Sequence, residues 1–412
     1  MRSAIVLGGG MVGVGTALHL QSRGWSVALV DRREPGRETS YGNAGIIQSE
    51  AVRPYAMPYD LAGVLDIALA RTNDVHYGIA ALPYHVRPLL QYWWNSFPAR
   101  HEVITRTYAQ LIARAEPEHE PLIAAAGAGN LVRRDGFRVI HRKQAQFDKE
   151  VRDAEAVGKA FGVKFKVLSA SELKKAEPGL ADSGIGGLHW QEPWTVADPG
   201  SLVTSYADLF VRRGGKLLRG DANSLAQAGS GWAVTTSEGR IEAEAAVVAL
   251  GPWSPEFLKR FGYDIPMVKK RGYHRHYSGG APLDLPLRDA AFGYLMAPMA
   301  AGVRITTGAE LSAPDAKPTP VQLGRAEAAA RELIDLGRPV ESEPWLGTRP
   351  CMPDMLPVVG QAARHKGLWL HFGHGHQGFT LGPATGRVLS ELMSGEAPSV
   401  DVAACAPARF GA

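Results

Sequence analysis

Apolar and polar positions along the chain fall into two textures. In the first, short fully apolar runs alternate with helical stretches. Residues 4–7 (AIVL) read as a short buried strand. From 11 to 22 the apolar positions, Val12, Leu18 and Leu20 among them, follow helical spacing, and Gly24 ends the helix. "WSVALV" is a second strand with Asp31 at its C-terminal end. The texture returns at 184–258, where "GIGGLHW", "GKLLRG", "WAVTTS" and "AAVVALG" have strand character and "GSLVTSYADLFVRRGG" reads as a helix closed by glycines. It returns again after 366. "LWLHF" is an apolar strand, a glycine-rich loop follows, and from about Pro383 "PATGRVLSELMSG" reads as a helix. Val388, Leu389 and Leu392 mark its apolar face and Gly395 suits the stop. The second texture occupies 53–140, helical and punctuated by Trp, Tyr and Pro, and 259–345. There "KKRGYHRHYS" and "GVRITTGAEL" alternate as strands before a helical pattern at 320–336.

Composition narrows this little. At ~150 residues per domain, 412 residues suggest two or three domains. A net charge of +4, with basic runs no longer than "VKKR" and "DRR", argues against nucleic acid as a partner. Two cysteines, Cys351 and Cys405, exclude a disulfide framework and fit a reducing compartment. The N-terminal apolar run is too short for a signal peptide, and no run of ~18 apolar residues spans a membrane. The expected location is therefore cytoplasmic, with the inner face of the cytoplasmic membrane as the alternative.

The first strand, helix and second strand carry the clearest chemistry. Gly8, Gly10 and Gly13 form G-x-G-x-x-G directly after the first strand. Gly8 permits the tight turn, Gly10 lets backbone N–H groups approach a pyrophosphate, and Gly13 lets the helix pack on the strand. The helix N-terminus attracts phosphate, and Asp31 is placed to accept hydrogen bonds from a ribose. A simple nicotinamide fold would run quickly into another βαβ unit. Here a loop of small polar residues follows, in which Thr39, Ser40, Asn43, Ala44 and Gly45 are suited to hold a second cofactor section, with Gly42 and Gly45 allowing close approach.

With these motifs, "TSYGNAGII", "VVALGPWS", "GTRPCMPDMLPVVG" and "GHGHQGFTLGPATG" follow in order along nearly the whole chain. The sequence resembles the FAD-dependent D-amino-acid oxidase family, and within it the bacterial D-amino-acid dehydrogenases and their D-proline and hydroxyproline relatives. The resemblance implies a mixed α/β (α+β) fold. A Rossmann-like FAD-binding domain (1–52, 141–258 and 341–412) would be interleaved with a substrate domain (53–140 and 259–340) built on an antiparallel or mixed sheet with helices. The FAD contacts it implies are Gly8, Gly10, Met11, Val12, Gly13, Asp31 and Arg32; Thr39, Ser40, Asn43, Ala44, Gly45 and Ile46; Gly251 and Trp253; and Gly375, Gln377, Gly378, Phe379 and Thr380. Some relatives attach the flavin through a cysteine at a position that falls near Gly347 here, not at Cys351, so the FAD is expected to be noncovalent.

In the family, the arginine of G-x-R-P holds the amino acid's carboxylate, and Arg349 matches it. The alternative is an ion pair with Asp354. On 270–278 strand alternation puts Arg271, Tyr273, Arg275 and Tyr277 on one face and His274 and His276 on the other. Tyr273 is the expected hydroxyl donor to the carboxylate, with His274 second. Arg304 falls on a strand where some wider-family oxidases carry a lysine near the flavin. His371, His374 and His376 look like metal ligands, but no carboxylate follows at a useful spacing. The glycines around them suit clearance for a planar ring, with His374 on the substrate side. The implied reaction is oxidation of an amine at Cα, with electrons passed to a quinone, an electron-transfer protein or oxygen. A sarcosine- or glycine-type secondary-amine oxidase or an opine oxidase subunit is the near rival. An electron-transfer subunit and a metal-dependent hydrolase are the distant ones. "DLAGVLDIALA" and "QYWWNSF", with Trp93 and Trp94, raise a peripheral membrane contact; a packed helix near the substrate entry is the preferred reading.

Overall fold

The computed structural model describes residues 2–59, 73 and 75–412. The "DLAGVLDIALA" segment lies outside them. Strand β1 (Ser3–Leu7), helix α1 (Met11–Ser22) and strand β2 (Ser26–Asp31) stand where the hydrophobic pattern puts them. They open a six-stranded sheet in the order 216–219, β2, β1, 245–248, 368–372, 358–361. Five strands are parallel, and only the edge strand Val358–Gln361 is antiparallel. The central strands are apolar throughout because both sheet faces are covered. Ala4, Val6 and Val247 face the core under α1, while Ile5, Leu7 and Val248 face a second core shared with Trp232 and Val234.

The other large sheet has eleven strands built around the long strand β3 (Val268–Gly279). Strand β4 (Trp345–Cys351) pairs antiparallel with β3 over seven residues. Sheet membership departs from the boundaries expected from the sequence. Those boundaries group strands 165–169, 186–190 and β4 with the nucleotide-binding segments, yet hydrogen bonding places all three in the larger sheet. Local hydrophobicity marks a strand but not which sheet completes its ladder.

Helix α2 (Gly378–Ser394) begins five residues before the expected start. Pro383 sits inside it. The missing N–H of Pro383 frees the carbonyl of Phe379, which accepts instead from Nε2 of the buried His119 at 3.1 Å. Helices α1 and α2 lie in close contact because both carry glycine at the crossing. A Cβ on Gly15 would meet the carbonyl of Gly382 at 3.0 Å, and one on Gly386 would meet the Thr16 nitrogen at 2.8 Å. Among the described residues, no helix is long and apolar enough to cross a membrane.

Candidate active site

The crossing of α1 and α2 brings both helix N-termini to one cavity of about 520 Å³, within the ~300–1,000 Å³ typical of small-molecule and cofactor sites. Neither helix has an acidic residue in its first turn, so the partial positive charge of both ends faces the cavity unneutralised. Gly8 has φ +114° and its Cβ would fall 2.4 Å from the Ala249 carbonyl. Gly13 abuts the Gly8 carbonyl in the same way. In front of Gly10 the nearest atom is Ser40 Oγ at 3.3 Å, so the space a side chain would fill belongs to the cavity. Ser40 Oγ accepts from the Met11 N–H at 3.1 Å, supplying the cap that Gly10 lacks. Asp31 accepts from the backbone N–H of Gly9 at 2.6 Å and of Arg33 at 2.8 Å, which fixes its carboxylate at the end of β2. The arrangement suits a dinucleotide's phosphates and ribose.

Of the residues expected to touch the cofactor, Gly8, Gly10, Met11, Val12, Asp31, Arg32, Thr39, Ser40, Asn43, Gly251, Trp253, Gly375, Gly378 and Phe379 stand on the cavity wall. Six stand behind it. Gly13 packs on the Gly8 carbonyl. Gly45 turns at φ +71° against Val196, Ile46 is buried in a strand paired with Trp194–Val196, and Ala44 lies between that turn and Asn43. Thr380 bonds to the backbone of Gln48 and Ile46, and Gln377 donates to the Gln48 side chain. These residues anchor the wall rather than face the ligand. Small polar composition marks the loop but says nothing of which way each side chain turns.

The substrate end is a platform of two strands. Residues directly opposite on antiparallel strands point to the same face. The register pairs Lys270 with Arg349, Gly272 with Gly347 and His274 with Trp345. Cations thus lie at one end, glycines in the middle and a stacked pair at the other, His274 and Trp345 having ring centroids 4.7 Å apart and an interplanar angle of 15°. The Trp345 indole folds back over Gly347 and also covers Gly42, where a Cβ would lie 1.9 Å from it. Arg349 reaches across Gly272 to donate to the carbonyls of Gly308 and Thr307, each at 2.9 Å. The suspected partner Asp354 instead pairs with Arg409 at 2.6 Å. Arg349 has no carboxylate partner among the described residues, and burial pushes its pKa down.

Tyr273 departs from its expected role. It sits on the opposite face of β3 from Gly272 and His274, and its hydroxyl donates to Glu310 at 2.6 Å while accepting from Arg271 and from the Thr319 N–H. It borders the cavity, but its hydroxyl is committed to that network. Sequence reasoning missed Gly272, Lys270 and Trp345. The signal was present as W-x-G-x-R on β4, a period-two pattern that puts Trp345, Gly347 and Arg349 on one face. A Cβ on Gly272 would lie 2.6 Å from Nη1 of Arg349. Gly272→Ala is therefore expected to displace the guanidinium and raise KM about tenfold or more with flavin content unchanged. Steady-state kinetics on flavin-matched protein checks this, and an unaltered KM would remove Gly272 from the site.

Arg304 is 3% exposed and does not line the cavity. Its Nη1 donates to the carbonyls of Tyr41 at 2.9 Å and Asn43 at 2.7 Å, and its Nε to His276 Nε2 at 2.9 Å. The other ring nitrogen of His276 meets Glu341 at 2.5 Å. Burial lowers the Arg304 pKa to about 10. The arginine holds the cofactor loop from beneath through backbone carbonyls.

The histidines of "LHFGHGHQGFTLGP" are individually occupied. His371 bonds Thr16 Oγ1 at 2.7 Å and Thr385 Oγ1 at 2.8 Å, His374 Nε2 bonds Thr385 Oγ1 at 2.9 Å, and His376 packs edge-on to Tyr55. Burial pushes the His374 pKa down to about 3 and that of His371 well below its ordinary value. His374 is thus a neutral wall residue, and its expected place among the catalytic groups rests on position alone. Burial also lowers His119 to about 4 and raises Glu50 to about 7.

A pH prediction follows with its sign. The native histidines stay neutral while the unfolded chain takes up protons, so their stability is full above about pH 6.5 and is lost as pH falls through the native values. Glu50 acts oppositely, favouring the native state as pH falls from about 7. Between pH 7 and 5 His371, His374 and His119 all withdraw stability, and Glu50 alone of these four groups returns some. The melting temperature is expected to drop between pH 7 and 5, by calorimetry; a rise would refute the balance.

Both the sequence and this geometry have known counterparts. The family described as DAO, FAD dependent oxidoreductase, matches residues 3–392. The chain is 31% identical over 432 aligned positions to a D-amino-acid oxidase of Bradyrhizobium diazoefficiens, covering 99% of each. It is 29% identical to a D-amino acid dehydrogenase of Chromohalobacter salexigens, again covering 99% of each. Among solved structures, glycine oxidase from Geobacillus kaustophilus superposes with a TM-score of 0.71 at 19% identity, covering 98% of both chains.

Proposed function

The chain belongs to the DAO family of FAD-dependent oxidoreductases, and from that premise we propose that it oxidises a D-amino acid or a D-proline-like cyclic amino acid at Cα and delivers the electrons to a quinone or another acceptor. Membership makes it an FAD-dependent amino-acid oxidoreductase, with an amino-acid substrate and an electron acceptor. One observation carries the finer reading. Arg349 is a half-buried cation without a carboxylate partner among the described residues, held open to the cavity by two backbone carbonyls. Burying a charge without a counter-ion is costly, and a substrate carboxylate would complete it.

FAD, when bound, would supply the two-electron acceptor for oxidation of the substrate at Cα to an imine, which water would convert to a 2-oxo acid and an amine. The ends of α1 and α2 would hold the FAD phosphates and ring, and Asp31 its ribose. Arg349 fixes the carboxylate, Gly272 lets its guanidinium cross the sheet, and Gly347 lets the Trp345 indole lie against the sheet beside it. With one end fixed, Cα is aligned for transfer, which is where most of the rate advantage lies. Burial lowers the pKa of His374 to about 3 and makes it a poor base, which fits a mechanism in which the amine enters neutral.

The test is anaerobic dye reduction with D-amino acids, D-proline, 4-hydroxy-D-proline, sarcosine and glycine, repeated with oxygen. Turnover confined to sarcosine and glycine would move the assignment to a secondary-amine or opine oxidase. The FAD is noncovalent in this reading, since the position where some relatives carry the attaching cysteine falls near Gly347, not at Cys351; flavin retained by acid-precipitated protein would contradict it. A peripheral membrane contact is supported by the face carrying Ile79 (83% exposed), Leu90 (61%) and Trp94 (52%), with Arg100 over the Trp94 ring at 4.7 Å. Trp93 and Trp94 both pack edge-on against Phe97. Absence of co-flotation with anionic vesicles would end that reading.

A further inference from the structure

Lys270 is the cross-strand partner of Arg349, so both side chains leave the sheet on the cavity face. Their heads diverge. Arg349 turns across β3 to the carbonyls of Thr307 and Gly308, whereas Lys270 turns to the helix Leu82–Asn95. There its Nζ lies 4.4 Å from the centroid of the Tyr92 ring and 3.4 Å from the Tyr92 hydroxyl. The acids around them are taken. Asp354 is paired with Arg409, Glu310 with Arg271 and Tyr273, and Glu256 with the neighbouring Lys269. Lys270 therefore has no carboxylate partner among the described residues either.

Beside Lys270 is a small cleft of about 30 Å³ lined by Tyr55, Tyr92, Tyr108 and Cys351. It shares the wall 373–376 with the main cavity. At ~10–15 Å³ per water it accepts a group about the size of a carboxylate. Two diverging cations without counter-ions, one at each of two adjoining spaces, fit a ligand with two separated negative charges. A single carboxylate on Arg349 would leave the half-buried ammonium beside three tyrosines with only a hydroxyl and a ring face.

We propose that Lys270 holds a second carboxylate of the substrate, so that the preferred substrate class is an amino acid carrying another carboxylate, on its side chain or on its nitrogen substituent. This rests on the reading of Arg349 as the holder of the first carboxylate. The chemistry at Cα is unchanged; Lys270 sets specificity.

The test uses the holoenzyme and non-oxidisable acids. Flavin absorbance is titrated with acetate and propionate, and with malonate, succinate and glutarate, for wild type, Lys270→Met and Lys270→Arg. The expected result is at least tenfold tighter binding of one or more dicarboxylates than of monocarboxylates by wild type. Lys270→Met should lose that preference and Lys270→Arg keep it. Equal affinities in wild type, or a preference that survives in Lys270→Met, would overturn the proposal; if Lys270→Met does not fold, the wild-type comparison alone decides. Oxidation of D-aspartate and D-glutamate against N-carboxymethyl amino acids then locates the second carboxylate. The two readings fail separately. A dicarboxylate preference without any amine oxidation would sink the proposed activity, whereas turnover of neutral D-amino acids without that preference would sink only the role of Lys270.

Discussion

Arg349→Ala is expected to lower kcat/KM by about a hundredfold or more. Truncating one partner of a buried, hydrogen-bonded charge pair costs ~2–5 kcal/mol, or about thirtyfold to several thousandfold. Arg349 belongs in the upper part of that range because its guanidinium is already oriented by the carbonyls of Thr307 and Gly308, so little ordering is left for the substrate to impose. Arg349→Lys should recover only part of the loss. An ammonium keeps the charge but not the planar fork, and it cannot bond two carbonyls and a carboxylate in one plane. Stability separates this account from a merely structural one. A half-buried cation without a counter-ion adds little to the substrate-free fold, so Arg349→Met is expected to keep the melting temperature near wild type while activity collapses. Activity near wild type in Arg349→Ala, or a large fall in melting temperature in Arg349→Met, would count against a carboxylate-binding role.

How much of the fold and of the candidate site is legible in the sequence depends on how local each contact is. The turn between β1 and α1 can be read because the strand, Gly8, Gly10, Gly13, the helix and Asp31 lie within one stretch of sequence and each constrains the next. The substrate platform is the opposite case. Alternation along β3 separates Tyr273 from His274, but which face meets the cavity is decided by β4, some seventy residues away. A tyrosine hydroxyl is an attractive carboxylate donor, and nothing local shows that Glu310, Arg271 and Thr319 already occupy it. The same limit explains Gly272, whose importance lies in the arginine that crosses it rather than in its own backbone. Pro383 misleads for a different reason. Its preference for a first helical turn is real, but His119, far off in sequence, takes the carbonyl it frees, so the helix starts earlier. In the histidine-rich loop Gly375 and Gly378 do line the cavity, though Gln377 and Thr380 turn back to hold Gln48 and Ile46.

Gly13→Ala is expected to yield protein that has lost most of its FAD. The added Cβ would lie 1.8 Å from the carbonyl oxygen of Gly8 and 3.0 Å from its carbon. Both are backbone atoms of the phosphate-facing turn, so no side chain can swing aside. Either the turn opens or α1 moves off β1 by more than ~1 Å, a displacement that well-packed cores resist at ~1–3 kcal/mol or more. Movement of α1 is blocked on its other side, where Gly15 lies against the Gly382 carbonyl and Gly386 against Gly15 and Thr16. The strain therefore falls on the turn itself, which lines the cavity proposed to hold the cofactor. The variant should purify with little flavin, bind added FAD at least a hundredfold more weakly by fluorescence titration, and melt several degrees lower. Gly129→Ala is the matched control, since its Cβ would meet nothing within 4 Å, and it is expected to match wild type in both flavin content and melting. If Gly13→Ala bound FAD with wild-type affinity, the clamp between β1 and α2 would not be what shapes this site.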